Sequence, residues 1–335
     1  MQDIFTEDEF EYVYRNIIAI PHIFLTRAHE RFDKLRAVRR RIISGHAFKA
    51  ESRGTCLFAP RQSGKSSIVR IYIQQNVVDY CYRIGLFPPE TPRHIVAEEQ
   101  RKVIHITVSG TSTLMSLLED ILRAYGDPNP EKGKTLGKKK ERILKYIKDF
   151  GTELLIFDEM QHLLVGSSGH LGSEAGRVHN TLKGFLLDGV PVVFVGTEEA
   201  EKKVFSDGQI SARCPKRLWI GKLNWKKLEH RKCFHDYCGL VGLELQRHGL
   251  MPKRSNFIGR PTVACLFVAS NGYLGHASNI IANAVEYALE QGAQSVRWEH
   301  LSTASDEYTI GEGLATYNPF KRWVAKHGVQ GRKAA

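Results

Sequence analysis

The stretch from Thr55 to Ile73 constrains this chain more than any other. Strand-like Thr55-Cys-Leu-Phe58 runs into Ala59-Pro-Arg-Gln-Ser-Gly64-Lys65-Ser66-Ser67, and helix-like Ile68-Val-Arg-Ile-Tyr-Ile73 follows at once. A Gly-Lys-Ser turn between strand and helix is a phosphate-binding context. Consecutive backbone N–H groups and the helix N-terminus surround an anion, Lys65 would add a point charge at the β/γ-phosphates, and the Ser66 hydroxyl would join a Mg²⁺ shell. Pro60, Arg61, Gln62, Ser63, Gly64, Lys65, Ser66 and Ser67 are therefore the candidate nucleotide cradle. The pattern G-x-x-x-x-G-K-[ST] is broken at its first position, where Ala59 stands. A small Cβ fits there if the backbone stays extended.

Three further apolar runs, Val103–Val108, Leu154–Phe157 and Val190–Val195, are separated by helix-like segments near 65–78, 112–125, 137–149 and 174–188. That alternation predicts a parallel sheet covered by helices on both faces. Arg217–Ile220 reads as a fifth short strand. Upstream, Leu25, Ala28, Phe32, Leu35, Val38 and Ile42 recur at helical spacing, with Arg31, Lys34, Arg36 and Arg39 to Arg41 largely off that stripe. After Leu223 helical patterns dominate, near 225–248, 261–270, 275–291 and 298–306. The expected organisation is a helical preface (1–50), an α/β nucleotide-binding core (51–225), a small helical domain (226–310) and a C-terminal tail (311–335).

The Leu154–Phe157 strand ends in Asp158-Glu159, which sets two carboxylates at the edge of the sheet where α/β proteins bind ligands. Asp158 would hold Mg²⁺, mainly through water. Glu159 would orient or deprotonate a water for in-line attack on the γ-phosphate. The next strand ends in Gly196-Thr197, and Thr197 reads either as a polar contact to the γ-phosphate or attacking water, or as the N-cap before Glu198-Glu-Ala-Glu. Arg213 and Arg217 flank the start of the fifth strand, where a guanidinium could reach a neighbouring subunit's nucleotide; ordinary surface arginines are the alternative.

Together these residues resemble an AAA+ ATPase. Ala59–Ser66 is similar to that family's Walker A motif, Leu154–Glu159 to Walker B, Thr197 to sensor 1, and Arg213 or Arg217 to the arginine finger, and the resemblance covers roughly residues 30–310. It implies an AAA+ P-loop NTPase core with a helical lid, and ATP and Mg²⁺ as cofactors. Within that superfamily three features look like the TnsC/TniB group of transposition regulators. These are the helical preface, the strand Val103–Val108 with its Ser109–Gly126 continuation, and Ile156-Phe-Asp-Glu-Met-Gln-His162. That likeness implies a homo-oligomeric ring or filament on duplex DNA, and a link between a target-selecting protein and transposase subunits. Many relatives carry a lid arginine, sensor 2, where Asn271-Gly-Tyr-Leu-Gly-His276-Ala-Ser278-Asn offers only His276 and Ser278, a gap consistent with slow, regulatory ATP hydrolysis or a switch governed mostly by binding.

The 335 residues hold 48 Lys and Arg against 36 Asp and Glu, a formal charge of +12, which favours a polyanionic partner. Glu131–Lys145 carries seven basic and two acidic residues, and Arg213–Lys232 eight and one. In a ring or helix of subunits, Ser109, Thr111, Ser112 and Thr113 would donate to DNA phosphates, and Lys134, Lys138, Lys139 and Lys140 would supply charge; a solvated helix face is the alternative reading of the lysine run. The absence of interleaved aromatics predicts sequence-independent binding. No apolar run is long enough to span a bilayer and the first residues are acidic, so a cytoplasmic protein without a membrane partner is expected. The six cysteines lack C-x-x-C spacing and read as reduced packing residues. A motor that threads polypeptide usually carries an aromatic-apolar-Gly loop after the second strand, where this chain has Ser-Gly-Thr-Ser-Thr. A replication-initiator or loader relative shares every motif above, though no winged-helix pattern is evident after residue 310.

Overall fold

A computed structural model describes residues 7–48, 50–110, 113–133, 135–163 and 170–327. Thr111, Ser112 and Lys134, three of the expected DNA contacts, lie outside the described residues. The chain forms two compact units, a core unit of residues 24–61 and 65–220 and a helical unit of residues 1–23, 62–64 and 221–335.

In the core unit five strands form one sheet: β1 (Thr55–Phe58), β2 (Val103–Thr107), β3 (Leu154–Asp158), β4 (Val192–Gly196) and β5 (Arg217–Trp219). Their order is β2-β3-β4-β1-β5, and every pairing is parallel. β1, β3 and β4 are buried along their whole length, as continuous apolar runs require of strands covered on both faces. β5 is a three-residue edge strand, short and with Arg217 exposed, both of which discourage another chain from pairing there. Leu118, Ile121, Ile143, Leu182 and Phe185 from the flanking helices close the core over Phe157 and Phe194.

The helix Ile23–Ile43 belongs to this unit from Phe24 onward, so the expected preface is divided between the two units. Leu25, Ala28, Phe32 and Leu35 are buried as their spacing predicts, whereas Val38 is exposed. Arg36 corrects the sequence reading, because its side chain is 1% exposed. It is held by Glu153 at 2.9 Å and by the Tyr72 hydroxyl at 3.0 Å, while Arg40 reaches the same Glu153 oxygen at 3.0 Å. A buried cation needs such a fixed counter-charge. The helix is thereby clamped to the residue immediately before β3.

The helical unit contains Leu228–Arg247, Arg260–Ala269, Leu274–Glu290 and Trp298–Ala304, close to the expected spans. The expected tail is in part structured. Pro319–His327 is a helix whose first turn is capped by Asn318, its Oδ1 accepting from the N–H groups of Phe320 (2.9 Å) and Lys321 (3.3 Å). Phe320 is fully buried against Trp298. Near the N-terminus, the Tyr14 hydroxyl donates to the Ser278 carbonyl at 2.9 Å. Among the described residues no helix is long and apolar enough to cross a membrane.

Candidate nucleotide site

The strand order sets the geometry of the site. β4 lies between β1 and β3, and all three run the same way, so the phosphate-loop segment after β1, Thr197 after β4 and Asp158-Glu159 ending β3 emerge at one edge. Phe58 pairs with Gly196, and the Ala59 N–H donates to the Gly196 carbonyl at 3.1 Å. Ala59 thus continues the ladder, which lets the loop begin without the usual glycine. Further on, Gln62 (φ 57°) and Gly64 (φ 85°) take left-handed backbone, glycine without steric cost. Lys65 opens the helix Lys65–Tyr72 and is 7% exposed. Its Nζ donates to the carbonyls of Pro60 (2.7 Å) and Ala59 (3.2 Å). Burial lowers the Lys65 pKa, and the nearby Glu159 and Asp158 work against that shift.

Asp158 is 2% exposed. Burial alone would raise its pKa, but hydrogen bonds from His105, the Ser66 hydroxyl and the Glu159 N–H outweigh it, and the carboxyl sits below its ordinary value. His105 Nε2 lies 3.4 Å from Asp158 Oδ2, and the Glu159 N–H donates to Oδ1 at 2.8 Å. Ser66 and Asp158 are therefore adjacent hard oxygen donors with the carboxylate kept ionised, a set that fits Mg²⁺. His105, at the centre of β2, was not singled out by the sequence; its alternation within an apolar strand was the available signal.

Glu159 has left-handed backbone (φ 58°, ψ 36°), unusual for a residue with a Cβ, which turns the chain away from the strand immediately after Asp158. Its carboxylate accepts from Gln161 Nε2, and His162 Nε2 lies 3.8 Å away. Thr197 occupies the N-cap position of the helix Glu198–Val204, but its side chain makes no capping bond; its N–H donates to Gln161 Oε1 at 3.3 Å. Gln161 is thus a site residue that sequence reasoning missed.

Arg213 and Arg217 lie on the far side of β1. Arg213 pairs with Glu51 at 3.0 Å, and Arg217 pairs with Glu201 at 3.1 Å while stacking over the Phe205 ring. Within the helical unit, His276 is committed to the Tyr308 hydroxyl (2.9 Å) and the Ser278 hydroxyl lies 3.1 Å from that of Tyr14. Gln62 accepts instead from Asn279 Nδ2 at 3.1 Å and from Tyr308, and a Cβ on Gly275 would lie 2.2 Å from the Gln62 carbonyl oxygen. Neither Asn279 nor Tyr308 was anticipated.

The expected DNA-contacting residues are only partly displayed. Helices Leu114–Ala124 and Leu136–Asp149 run parallel, since Glu119 at the middle of the first meets Lys139 in the first turn of the second, and Tyr125 just past the end of the first stacks on Tyr146 near the end of the second. The segments preceding the two helices consequently lie at the same end. Lys138 is exposed and Lys140 half-buried. Lys139 is a correction: it is 1% exposed, ion-paired with Glu119 at 3.1 Å and bonded to the Pro130 carbonyl at 2.6 Å, so it has no charge to offer a phosphate. The Ser109 N–H donates to Asp120 at 3.0 Å, and Thr113 caps its helix by accepting from the Ser116 N–H at 3.3 Å.

Residues 50–204 match the family model of an AAA domain, and the architecture is the AAA+ P-loop fold. Solved structures with that fold include the Aeropyrum pernix ORC1 protein in complex with DNA, at 15% identity and TM-score 0.57, covering 89% of this chain and 69% of that one. The Aeropyrum pernix ORC2 protein in its ADPNP-ADP complexes gives 16% identity and TM-score 0.58, with 88% and 71% covered. Cdc6p from Pyrobaculum aerophilum gives 12% and 0.55, with 89% and 71% covered. At such identities the likeness is one of fold. No curated protein sequence matches the chain.

Proposed function

We propose that this protein is an ATP-binding and ATP-hydrolysing switch that assembles on duplex DNA, acting as a transposition regulator of the TnsC/TniB type. The observation that carries the nucleotide chemistry is the shared sheet edge of Lys65, the bonded pair Ser66 and Asp158, Glu159 and Thr197. Backbone N–H groups of the loop and Lys65 would hold the phosphates, and Ser66 and Asp158 would hold Mg²⁺, which would supply positive charge against the phosphates. Glu159 would take or orient the proton of the attacking water, with Thr197 beside it. Arg213 or Arg217 would complete the site of a neighbouring copy, making nucleotide the fastener of an oligomer. Lys138, Lys140 and the rest of the positive surplus support a phosphate-tracking, sequence-independent contact with DNA. The link to a target selector and to transposase subunits rests on the sequence resemblance.

One observation favours a second reading, a replication-initiator or loader type of ATPase: the fold is shared with a protein solved in complex with DNA as ORC1. Duplexes of several sequences and lengths, offered with a non-hydrolysable ATP analogue and imaged by electron microscopy, separate the two. The favoured reading expects oligomers whose size follows duplex length and not sequence, and which outlive the wild type's when Glu159→Gln is used with ATP. Assembly confined to particular sequences would support the initiator reading. A lone protomer under every condition would overturn both.

A further inference from the structure

Gln161 has no part in the chemistry proposed so far, yet its side chain joins the ends of two strands. It sits in the short 3-10 turn Met160–His162, anchored by the fully buried Met160. Its Nε2 donates to the Glu159 carboxylate, and its Oε1 accepts from the Thr197 N–H at 3.3 Å. Chemistry fixes which end of the amide faces which partner. A backbone N–H can only donate, so Oε1 must face Thr197, and Nε2 alone is left to serve the carboxylate. The surroundings hold this arrangement, since Lys203 Nζ donates to the Gln161 carbonyl. Gly196 leaves the amide its space: a Cβ there would lie 2.9 Å from Gln161 Oε1 and 2.6 Å from the Ala200 Cβ.

We infer that Gln161 is a positioning residue that ties the Glu159 carboxylate to the tip of β4, so that the water-activating group and Thr197 are aimed as one unit. The inference rests on the hydrolytic reading of the site given above. It requires a side chain with both a donor and an acceptor at glutamine's length. Asparagine is one methylene short, and glutamate would oppose one carboxylate to another.

The test uses the full chain with Gln161→Ala and Gln161→Glu, measuring steady-state ATP hydrolysis, affinity for a fluorescent ATP analogue and thermal unfolding. A misaimed base lowers kcat by about 10- to 100-fold. KM and analogue affinity should move less than about threefold, because ground-state binding does not use the Gln161 amide. A single-turnover comparison in the Glu159→Gln background is the sharper readout. There Gln161→Ala should slow the residual reaction by much less than it slows the wild type, since most of its effect passes through Glu159. If Gln161→Ala fails to fold, the equal-sized Gln161→Glu decides. An unchanged or raised kcat in the folded variants, or a fully additive loss in the double variant, would overturn the inference. Wild-type hydrolysis by Glu159→Gln alone would instead overturn the hydrolytic reading beneath it, so the two failures are distinguishable.

Discussion

The strand tips and the loops around 109–140 contrast in how their polar groups are used. At the tips the two carboxylates are held by groups from elsewhere in the site: Asp158 by His105, Ser66 and a backbone N–H, and Glu159 by Gln161. Along 109–140 the described polar groups mostly serve their own scaffold. Thr113 caps a helix, the Ser109 N–H is held by Asp120, and Lys139 is buried in an ion pair. Parallel strand pairing directs side chains at the tips, so a motif's place in the sequence already says much about its surroundings. A run of lysines carries no such direction, because successive helical residues point about 100° apart.

The sharpest way to break this contrast is to treat the lysine run residue by residue. Lys139→Ala leaves Glu119 only the longer contact with Arg123 (3.6 Å) and the Pro130 carbonyl only that with Arg142 (3.4 Å), and should cost about 2 kcal/mol of stability, read by denaturant unfolding, while Lys138→Ala should leave the midpoint where it was. Equal behaviour of the two would mean the burial of Lys139 carries no energetic consequence. Next in size is the pair Lys138→Gln and Lys140→Gln. If each lysine neutralises one phosphate, the slope of log K against log salt should become shallower by about 1.8 per subunit, with ATP affinity unchanged. No change in slope would take DNA off this face. The smallest effect concerns the support of Arg213. Asp207 caps the helix Gly208–Arg213, accepting from the N–H groups of Gln209 (2.8 Å) and Ile210 (3.1 Å). Burial opposes ionisation of Asp207, but those two N–H groups outweigh it and its pKa lies below the ordinary value. Its stabilisation is therefore complete above the unfolded-state pKa and is lost as pH falls through the lower folded-state value. Asp207→Ala should cost about 1 kcal/mol near neutral pH, with the gap to wild type closing in acid; a gap independent of pH would contradict the capping role.

Much of the core was legible because it is local. Strand, turn and helix at 55–72 follow one another without a gap, and Asp158-Glu159 ends an apolar run. That β4 separates β1 from β3 was not legible, since pairing between segments some 140 residues apart leaves no trace in either of them. Gln161 was missed for a related reason: its partner Thr197 becomes its neighbour only through the pairing of β3 with β4. Lys139 is different, because the signal was present. Lys139, Ile143 and Ile147 recur at four-residue spacing and are all buried, so the lysine stands on the apolar stripe. Charge count concealed what periodicity showed. Arg36 was hidden likewise, its counter-ion Glu153 lying far along the chain. In the helical unit, Phe320 and Asn318 were passed over in a stretch read as a tail, although an Asn-Pro followed by an aromatic is a helix start with something to bury.

The left-handed backbone at Glu159 bears on what selection must guard. A glycine would adopt that turn with less strain, so the backbone gains nothing from the acid it keeps there. On the hydrolytic reading proposed above, glutamate persists at this bend against the local conformational gradient for the use made of its carboxylate. Should a lineage cease to spend nucleotide, this is among the first positions expected to drift, well before the apolar strands beneath it.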